Sequence, residues 1–206
     1  MTIEAPFIGV SRHRIGIDGD GVTTLAAFHG CPLHCHHCLN PKCLGPADGL
    51  PVFTPEQLYE KTLIDQLYFL ATGGGVCFGG GEPLLRPDFI CRFRELCGPA
   101  WQLTIETSLN VPLENLKAVL PVVNALIVDI KDLHPDIYLR YTGMAIDQTL
   151  LNLKHLLEVF PRDSVVVRVP LIPGFNTPED VDRNKQHLIA SGFTRIETFR
   201  YRTLKK

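Results

Sequence analysis

The sequence predicts an α/β fold in which a sheet of parallel strands is covered by helices. Short apolar segments alternate with longer amphipathic ones along all 206 residues, which is typical of this class. Polar residues suited to chemistry also follow the ends of successive apolar segments, as they do at the loop side of a barrel. Six predicted strands indicate an incomplete barrel, a partial (β/α)6 barrel of TIM type. We expect one domain over residues 1–206.

The predicted strands are short runs rich in aliphatic and β-branched residues, several of them bounded by glycine or proline. TTLAAF is the first and leads into a cysteine-rich loop; GVCFG, WQLTIET, ALIVDI and SVVVRVPL follow. The sixth begins at Thr194. The strands cover residues 23–28, 75–79, 101–107, 125–130, 164–171 and 194–201.

Helices are predicted between these strands from apolar spacing and from their start signals. Residues 54–70 have Thr54 at the N-cap position, Pro55 at the first helical position and leucines near helical spacing. Thr177 opens the last helix through Pro178 in the same way. The other predicted helices cover residues 87–96, 115–120, 135–141 and 147–159.

Composition excludes several functional classes. The net charge of -2 gives no electrostatic footprint for nucleic acid, so we expect no nucleic-acid partner. No apolar run approaches the roughly 20 residues of a membrane span, and the N-terminal residues show no signal-peptide pattern. Seven cysteines are an odd number in a chain long enough to form a core, which favours reduced thiols over a disulfide framework. We therefore expect a cytoplasmic protein without membrane contact.

Three cysteines at the spacing C-x3-C-x2-C are the most informative motif. Cys31, Cys35 and Cys38 can hold three irons of a 4Fe-4S cluster and leave the fourth iron open to a ligand. The residues alone leave two alternatives: a non-catalytic iron–sulfur electron carrier, and a tetrahedral zinc site. The zinc site would also draw on Cys43 and on nearby histidines, namely His29, His34, His36 and His37.

Charged residues and a glycine cluster follow the later strands. The glycines let backbone approach a ligand closely, because no Cβ intervenes. If the strands are parallel, these residues converge on one mouth of the barrel. They are Gly79, Gly80, Gly81 and Glu82 at the end of the second strand and just beyond it, Glu106 and Thr107 at the end of the third, Asp129 and Lys131 at the end of the fourth, and Arg168 in the fifth.

The ordered set of motifs resembles the radical S-adenosylmethionine (SAM) enzymes, and within them the branch that activates glycyl radical enzymes. The matching segments are DGDGVTTLAAFHGCPLHCHHCLNP from Asp18, GGGVCFGGGEPLLRPDF from Gly73, VDIKDLHPDIYLRYTGM from Val128 and VRVPLIPGFNTPED from Val167. The DIK and IPGFN segments argue against the related activators of anaerobic ribonucleotide reductase. This resemblance favours the cluster over zinc.

The resemblance implies roles for individual residues. Cys31, Cys35 and Cys38 would bind the cluster and so be the catalytic residues. Asp129 and Thr107 would help to bind a monovalent cation. The implied SAM contacts are His37, Asn40, Gly79, Gly80, Gly81, Glu82, Glu106, Lys131, Arg168 and Arg202.

Three of these positions depart from the family pattern, one being Gly79, which stands where a serine usually precedes the glycine pair. His37 stands where an aromatic residue usually precedes the third cysteine, and Tyr201 or Arg202 stands where a histidine often lies near the end of the last strand. We interpret Cys43, Cys77, Cys91 and Cys97 as packing thiols, Cys43 being the nearest to the cluster loop.

The resemblance also implies a reaction. The reduced cluster would cleave SAM to methionine and a 5′-deoxyadenosyl radical, which would abstract hydrogen from a glycine of a larger glycyl radical enzyme. Flavodoxin or ferredoxin would supply the electron in an anaerobic setting, since the reaction needs a strong reductant. No domain is expected after the sixth strand, so the mouth would admit the glycine-bearing loop. The alternative is a radical SAM enzyme that modifies a small molecule or a peptide.

Overall fold

The computed structural model describes residues 2–201, which form one sheet of eight strands with helices packed against it. In sheet order the strands are β3, β1, β2, β4, β5, β6, β7 and β8. The six from β2 to β8 in this order are parallel, whereas β1 and β3 pair antiparallel at one side. The strands are β1 Ala5–Ile15, β2 Val22–Phe28, β3 Val52–Phe53, β4 Gly75–Gly80, β5 Gln102–Thr107, β6 Ala125–Asp129, β7 Val165–Leu171 and β8 Arg195–Arg200.

Within residues 2–201, seven α-helices connect the strands, and five of them begin where the sequence predicted, at residues 55, 87, 135, 147 and 178. The Thr54 and Thr177 side chains cap helix N-termini, each in a reciprocal capping box with the residue three positions on. The helices are α1 Pro55–Leu63, α2 Gln66–Thr72, α3 Pro87–Cys97, α4 Leu113–Val119, α5 Pro135–Thr142, α6 Asp147–Val159 and α7 Pro178–Ser191. The alternation of six parallel strands with helices confirms the predicted α/β fold class.

The single helix predicted over residues 54–70 is wrong, because the chain breaks between α1 and α2 at Asp65. The Asp65 side chain is fully buried and accepts hydrogen bonds from Arg12, His13 and Thr24. A buried carboxylate has to be paired, and the break lets it reach β1 and β2. Phe69 is then the buried residue of α2, while Leu67 is exposed.

The antiparallel strands β1 and β3 were not predicted. β1 is eleven residues long, but its C-terminal half carries Arg12, His13 and Arg14 and lacks a buried stripe. It forms a hairpin with β2, and the two-residue β3 pairs with its start at Ala5 and Pro6. Period-2 patterning does not identify such a strand, because only its N-terminal residues face the core.

The core lies between the sheet and the surrounding helices. Phe28 of β2 is central to it: its ring stacks on Phe7 at a centroid distance of 4.4 Å and packs against Phe78 and Phe89. These four rings are at most 1% exposed, and burying each aromatic side chain stabilises the fold by roughly 2–3 kcal/mol. Among the described residues, no helix is both long and apolar enough to cross a membrane.

The parallel register aligns the C-terminal ends of the strands. Phe28 is opposite Gly80 between β2 and β4, and Thr107 is opposite Val128 between β5 and β6. The loops that follow these strands therefore leave the sheet on the same side. This arrangement brings the cysteine loop after β2, the glycine cluster after β4 and the polar ends of β5 and β6 to one mouth.

Candidate active site at the mouth of the barrel

One cavity at this mouth is lined by most of the residues that the sequence predicts to form the site. It is bordered by the cysteine loop, the turn after β4 and the ends of β5, β6 and β8. Its lining residues are Cys31, Leu33, Cys35, Cys38, Leu39, Asn40, Cys43, Gly80, Gly81, Glu82, Glu106, Thr107, Ser108, Asp129, Lys131 and Tyr201.

The cysteine loop closes on itself, so its thiols face the cavity. The Gly30 amide donates to the Cys43 carbonyl at 3.1 Å, and the Cys38 amide donates to the Cys35 carbonyl at 3.1 Å. Cys31, Cys35 and Cys38 are partly exposed, as ligands that must receive a cluster have to be. The structure therefore brings together the three thiols predicted to bind it.

The three thiols have different electrostatic environments. A hydrogen bond from Cys43 lowers the pKa of Cys31 and brings that of Cys38 down to about 6. Burial raises the pKa of Cys35 to about 11, an effect that the charge of Lys131 partly offsets. Hydrogen bonds to Cys31 and Cys38 raise the pKa of Cys43. Because thiolates are the metal-binding form, Cys31 and Cys38 are the readier ligands.

The glycine turn after β4 crosses the start of the cysteine loop at backbone contact. The Gly81 amide donates to the Phe28 carbonyl at 2.9 Å, and the Glu82 amide donates to the Gly30 carbonyl at 2.8 Å. A Cβ on Gly81 would lie 2.1 Å from the Gly30 oxygen, so no other residue fits without displacing one loop. Gly80 and Gly81 line the cavity.

Two neighbouring residues complete this part of the site. The Asn40 side-chain amide donates to the Gly80 carbonyl at 3.1 Å and joins the cysteine loop to the turn. Gly79 lies beneath the cavity lining, where a Cβ would come within 2.9 Å of a Glu106 carboxylate oxygen. The turn is thus packed on both faces. A ligand in the cavity would meet bare backbone at Gly80 and Gly81.

Glu82 is buried and fully engaged within the protein. Its carboxylate accepts hydrogen bonds from the Thr107 hydroxyl at 2.7 Å, from the Ser108 amide at 2.9 Å and hydroxyl at 2.7 Å, and from the Leu84 amide at 3.2 Å. Burial raises its pKa, although these hydrogen bonds oppose the rise. This geometry makes Glu82 a brace between the turn and the end of β5. Its predicted contact with SAM stays a prediction.

An acidic and basic network fills the barrel below the cavity. Arg168 donates to Glu106 at 2.9 Å, to Glu197 at 3.2 Å and to the carbonyl of Ile17, at the tip of the β1–β2 hairpin, at 2.6 Å. Burial and the nearby Asp129 raise the pKa of Glu106 to about 7 despite this ion pair. Arg168 does not line the cavity itself, whereas Glu106 does.

Lys131 and Asp129 form an ion pair at the end of β6. The Lys131 Nζ lies 3.2 Å from the Asp129 Oδ2 and 5.5 Å from the centroid of the Tyr201 ring. Burial acts to lower the pKa of Lys131, but the charge of Asp129 and of other acidic neighbours outweighs it and raises that pKa well above its usual value. The second oxygen of Asp129, Oδ1, is buried and has no hydrogen-bond partner among residues 2–201.

The structure gives less support to the roles predicted for His37, Thr107 and Arg202. His37 packs near the rings of Tyr141 and Phe175, at centroid distances of 6.2 and 5.7 Å, and does not line the cavity. The Thr107 hydroxyl, predicted to contact a cation, donates to Glu82 and accepts from the Leu109 amide. Arg202 lies outside the described residues. The SAM and cation roles of these residues stay predictions.

Four lining residues were not predicted as such from the sequence. The sequence gives no role in the site to Ser108 and Leu39, treats Tyr201 as one possible replacement for the usual histidine, and predicts that Cys43 is a packing thiol. Ser108 follows the end of β5 and could have been found from that position alone. Tyr201 follows the last residue of β8, so the strand-end rule also identifies it. Cys43 reaches the cavity only because the loop turns back on itself, which no spacing rule shows.

The family profile described as the radical SAM superfamily matches residues 26–183, which include the cysteine loop and the strands from β4 to β7. The chain belongs to the radical SAM superfamily. It is therefore an enzyme of a class that couples an iron–sulfur cluster to SAM, as the resemblance of its ordered motifs implied.

Several curated radical SAM relatives are named as activating enzymes of glycyl radical enzymes. The (2S)-3-sulfopropanediol sulfolyase activating enzyme of Bilophila wadsworthia is 29% identical over 89% of this chain and 81% of its own length. The (2S)-3-sulfopropanediol dehydratase activating enzyme of Klebsiella oxytoca is 33% identical over 69% of this chain, and the pyruvate formate-lyase-activating enzyme of Clostridium pasteurianum is 35% identical over 62%. The alignments span only 46% and 53% of the last two relatives.

Solved structures of radical SAM proteins share the fold. Streptococcus suis SuiB bound to its precursor peptide SuiA superimposes with a TM-score of 0.66 at 14% identity, over 86% of this chain and 38% of SuiB. A TYW1 structure with a bound lysine-pyruvate adduct gives a TM-score of 0.63 at 19% identity, over 89% of this chain and 67% of that one. The partial barrel predicted from the sequence is thus confirmed.

The residues at the mouth fit the cluster and SAM that this superfamily implies. Three partly exposed thiols line a cavity that is also lined by the backbone of Gly80 and Gly81, which carry no Cβ atoms. The unpartnered Oδ1 of Asp129 and the Lys131 ammonium supply polar groups of both signs beside it. Within residues 2–201, no group of three His, Cys, Asp or Glu side chains has the geometry to hold a single metal ion.

Proposed function

We propose that this protein is a radical SAM activating enzyme that uses a 4Fe-4S cluster and SAM to generate a glycyl radical on a partner enzyme, and that residues 1–206 act as one radical SAM domain. The observation that carries the proposal is the meeting of the three thiols of the C-x3-C-x2-C motif with the Gly80–Gly81 backbone in one cavity. The activating-enzyme names of the curated relatives support the choice of partner. When bound, the cluster and SAM supply one-electron cleavage of a carbon–sulfur bond and hydrogen abstraction.

The protein's first contribution is to orient these two groups. Cys31, Cys35 and Cys38 would hold the cluster, and a set of three ligands leaves one iron free for SAM. The backbone of Gly80 and Gly81 would lie against SAM's methionine portion. Because Glu82 braces this turn to β5, the wall keeps its position when the ligand enters. Holding reacting groups in the correct geometry lowers the barrier to reaction more than tight binding alone does.

The charged residues of the site would hold the polar ends of SAM. The Lys131 ammonium can pair with a carboxylate, and Asp129 keeps it at the end of β6 by the 3.2 Å ion pair. Glu106 faces the same cavity and can accept from ribose hydroxyls, with Arg168 behind it at 2.9 Å. The unpartnered Asp129 Oδ1 is the atom available to a monovalent cation.

The proposed reaction needs a protein partner and an electron donor. A glycine in a protein loop must reach the same cavity, where the buried side chains of Glu82, Thr107 and Lys131 would shield the radical from solvent on one side. The electron has to come from a low-potential carrier, and we propose flavodoxin or ferredoxin, since iron–sulfur clusters span potentials down to about −700 mV. Such carriers and an oxygen-sensitive cluster place the reaction in an anaerobic cytoplasm.

Anaerobic reconstitution tests the proposal. The protein is loaded with iron and sulfide, reduced with dithionite and given SAM, and 5′-deoxyadenosine is measured. We expect product from the wild-type protein and from Cys91→Ala, whose thiol lies on α3 outside the cavity lining, and none from Cys35→Ala. A fully loaded protein that leaves SAM intact would refute the enzymatic function.

A second measurement tests the partner. The loaded protein is mixed with a glycyl radical enzyme and SAM, and the organic radical is detected by electron paramagnetic resonance (EPR). A partner variant with alanine in place of the radical glycine is the control. We expect a radical signal with wild-type partner only. SAM cleavage without any such signal, across the glycyl radical enzymes of the source organism, would favour modification of a small molecule or a peptide.

A further inference from the structure

The segment that follows β5 contains a left-handed turn at Leu109. Leu109 has a φ of 59° and is one of two non-glycine residues with positive φ in the described part of the chain. A residue with a Cβ atom disfavours this conformation, whereas glycine adopts it readily. The Leu109 side chain is fully buried in the core, so packing requires a side chain at this position. Contacts from the surrounding protein must therefore hold the turn.

The turn at Leu109 directs two hydroxyl groups toward Glu82. The Leu109 amide donates to the Thr107 hydroxyl at 2.9 Å. The next amide, that of Asn110, donates to the Ser108 hydroxyl at 3.4 Å. Each hydroxyl donates its own proton to a Glu82 oxygen, in both cases at 2.7 Å. Because a hydroxyl has one proton and accepts with its lone pairs, the two amides orient these donations, and the Glu82 brace depends on the turn.

Asn152 of α6 binds the carbonyl groups of this turn. Its side-chain amide donates to the Leu109 carbonyl at 2.7 Å and to the Val111 carbonyl at 2.8 Å. Asn152 is fully buried, and its Oδ1 has no hydrogen-bond partner among residues 2–201. Burying an unpaired oxygen costs stability, so packing alone would favour an apolar residue of similar size. The two donated hydrogen bonds are therefore what this asparagine contributes.

We propose that Asn152 is a positioning residue for SAM: by holding the left-handed turn at Leu109, it keeps the Glu82 brace and the glycine backbone at the cavity wall in place. The inference rests on the proposed function, in which Gly80 and Gly81 lie against SAM. Asn152 does not line the cavity and acts only through the turn. Without its two donors, Leu109 would relax toward negative φ. The two hydroxyl groups would then lose the amides that orient them, and the wall would lose its brace.

The test combines Asn152→Leu, which removes both donors at similar side-chain size, with two substitutions at Leu109. In that background Leu109→Ala and Leu109→Gly both remove the buried side chain, but only glycine adopts positive φ readily. SAM binding to the reconstituted protein is measured by equilibrium dialysis before reduction. We expect Asn152→Leu to weaken SAM binding about tenfold, the population cost of a left-handed residue with a Cβ. Adding Leu109→Gly should restore most of the affinity, and adding Leu109→Ala should not.

A second readout does not depend on SAM. Hydrogen exchange followed by mass spectrometry, on the reconstituted full chain without SAM, reports the amides of Gly81, Glu82 and Ser108. These amides donate to the cysteine loop or to the Glu82 carboxylate. We expect their exchange to become about tenfold faster in Asn152→Leu and to slow again when Leu109→Gly is added.

Two further variants serve as controls. Asn184→Leu removes another buried asparagine, whose side chain accepts from the Leu133 amide on a different loop, and it should leave the exchange of the brace unchanged. Asn152→Ala removes the same donors as Asn152→Leu without placing an apolar group beside the carbonyls. It is made in parallel with the same two Leu109 substitutions, so the comparison stands if the leucine variant does not fold.

Three outcomes would overturn this inference alone. One is equal SAM affinity in the wild type and in the Asn152 variants. Another is equal affinity with alanine and with glycine in place of Leu109, because the loss would then come from packing and not from the turn. The third is faster exchange along the whole chain, in Asn152→Leu and Asn184→Leu alike, which would make Asn152 a structural residue only. A wild-type protein that assembles a cluster but binds no SAM would instead refute the proposed function.

Discussion

Substituting alanine for Gly81 should separate the two loops that form the site. The new Cβ would lie 2.1 Å from the Gly30 oxygen and 3.1 Å from the Phe28 oxygen, both backbone atoms that cannot rotate away. Restoring ordinary contact requires a displacement of more than about 1 Å, a distance that can cost about a hundredfold in rate. The displacement would also weaken the hydrogen bonds from the Gly81 and Glu82 amides, which together contribute about 2 kcal/mol.

Thermal unfolding, iron content and 5′-deoxyadenosine formation measure these effects. For a chain of this length, 2 kcal/mol corresponds to a fall in Tm of about 4–8 °C. Gly45→Ala is the matched control, because Gly45 follows the same cysteine loop and a Cβ there would have no atom within 4 Å. Equal Tm, iron content and activity in the two variants would refute the argument that these loops need backbone contact.

Three further predictions concern charged residues. Asp65→Asn should lower the free energy of unfolding by about 2 kcal/mol, because Arg12 loses its charged partner. Urea unfolding measures this change. An unchanged unfolding midpoint would contradict the role given to Asp65 at the break between α1 and α2. The pKa of Glu106 is raised to about 7 by burial, so the folded state holds this proton more tightly than the unfolded one. The free energy of unfolding should therefore fall, by at most about 3 kcal/mol, as the pH rises from about 4.5 to 7. Glu106→Gln should flatten this dependence of the free energy of unfolding on pH. The same slope in both proteins would exclude Glu106 as its source. SAM cleavage should depend on whether potassium, sodium or neither is present, and Asp129→Asn should remove that dependence; indifference of the wild type to the cation would refute a cation at Asp129.

The fold and the composition of the site could largely be predicted because both depend on local rules. Thr54 and Thr177 predict helix N-termini because their side chains can cap them, and both caps form. The strands are short apolar runs, and their parallel order places the polar residues after them at one mouth. The cysteine motif and the glycine turn therefore meet in space although they are about 40 residues apart in sequence.

The rest depends on contacts between distant segments. Asp65 breaks a helix because Arg12, 53 residues away, needs its carboxylate. Glu82 has a charge suited to binding a ligand, yet its oxygens are used by Thr107 and Ser108. Cys43 is one thiol among seven until the bond to Gly30 turns it toward the cluster ligands. No local pattern contains these pairings.

The unclosed sheet also has a consequence for solubility. Within the described residues the sheet ends at β3 and β8, each paired with one neighbour only, and a free strand edge is a template for aggregation. The two-residue β3 pairs only with Ala5 and Pro6 of β1, and the edge of β1 beyond them carries the charged residues Arg12 and Arg14. The six-residue β8 carries Arg195, Glu197 and Arg200 along an exposed stretch. These charges oppose the docking of a second strand, so we expect the open side of the barrel to resist pairing with another sheet.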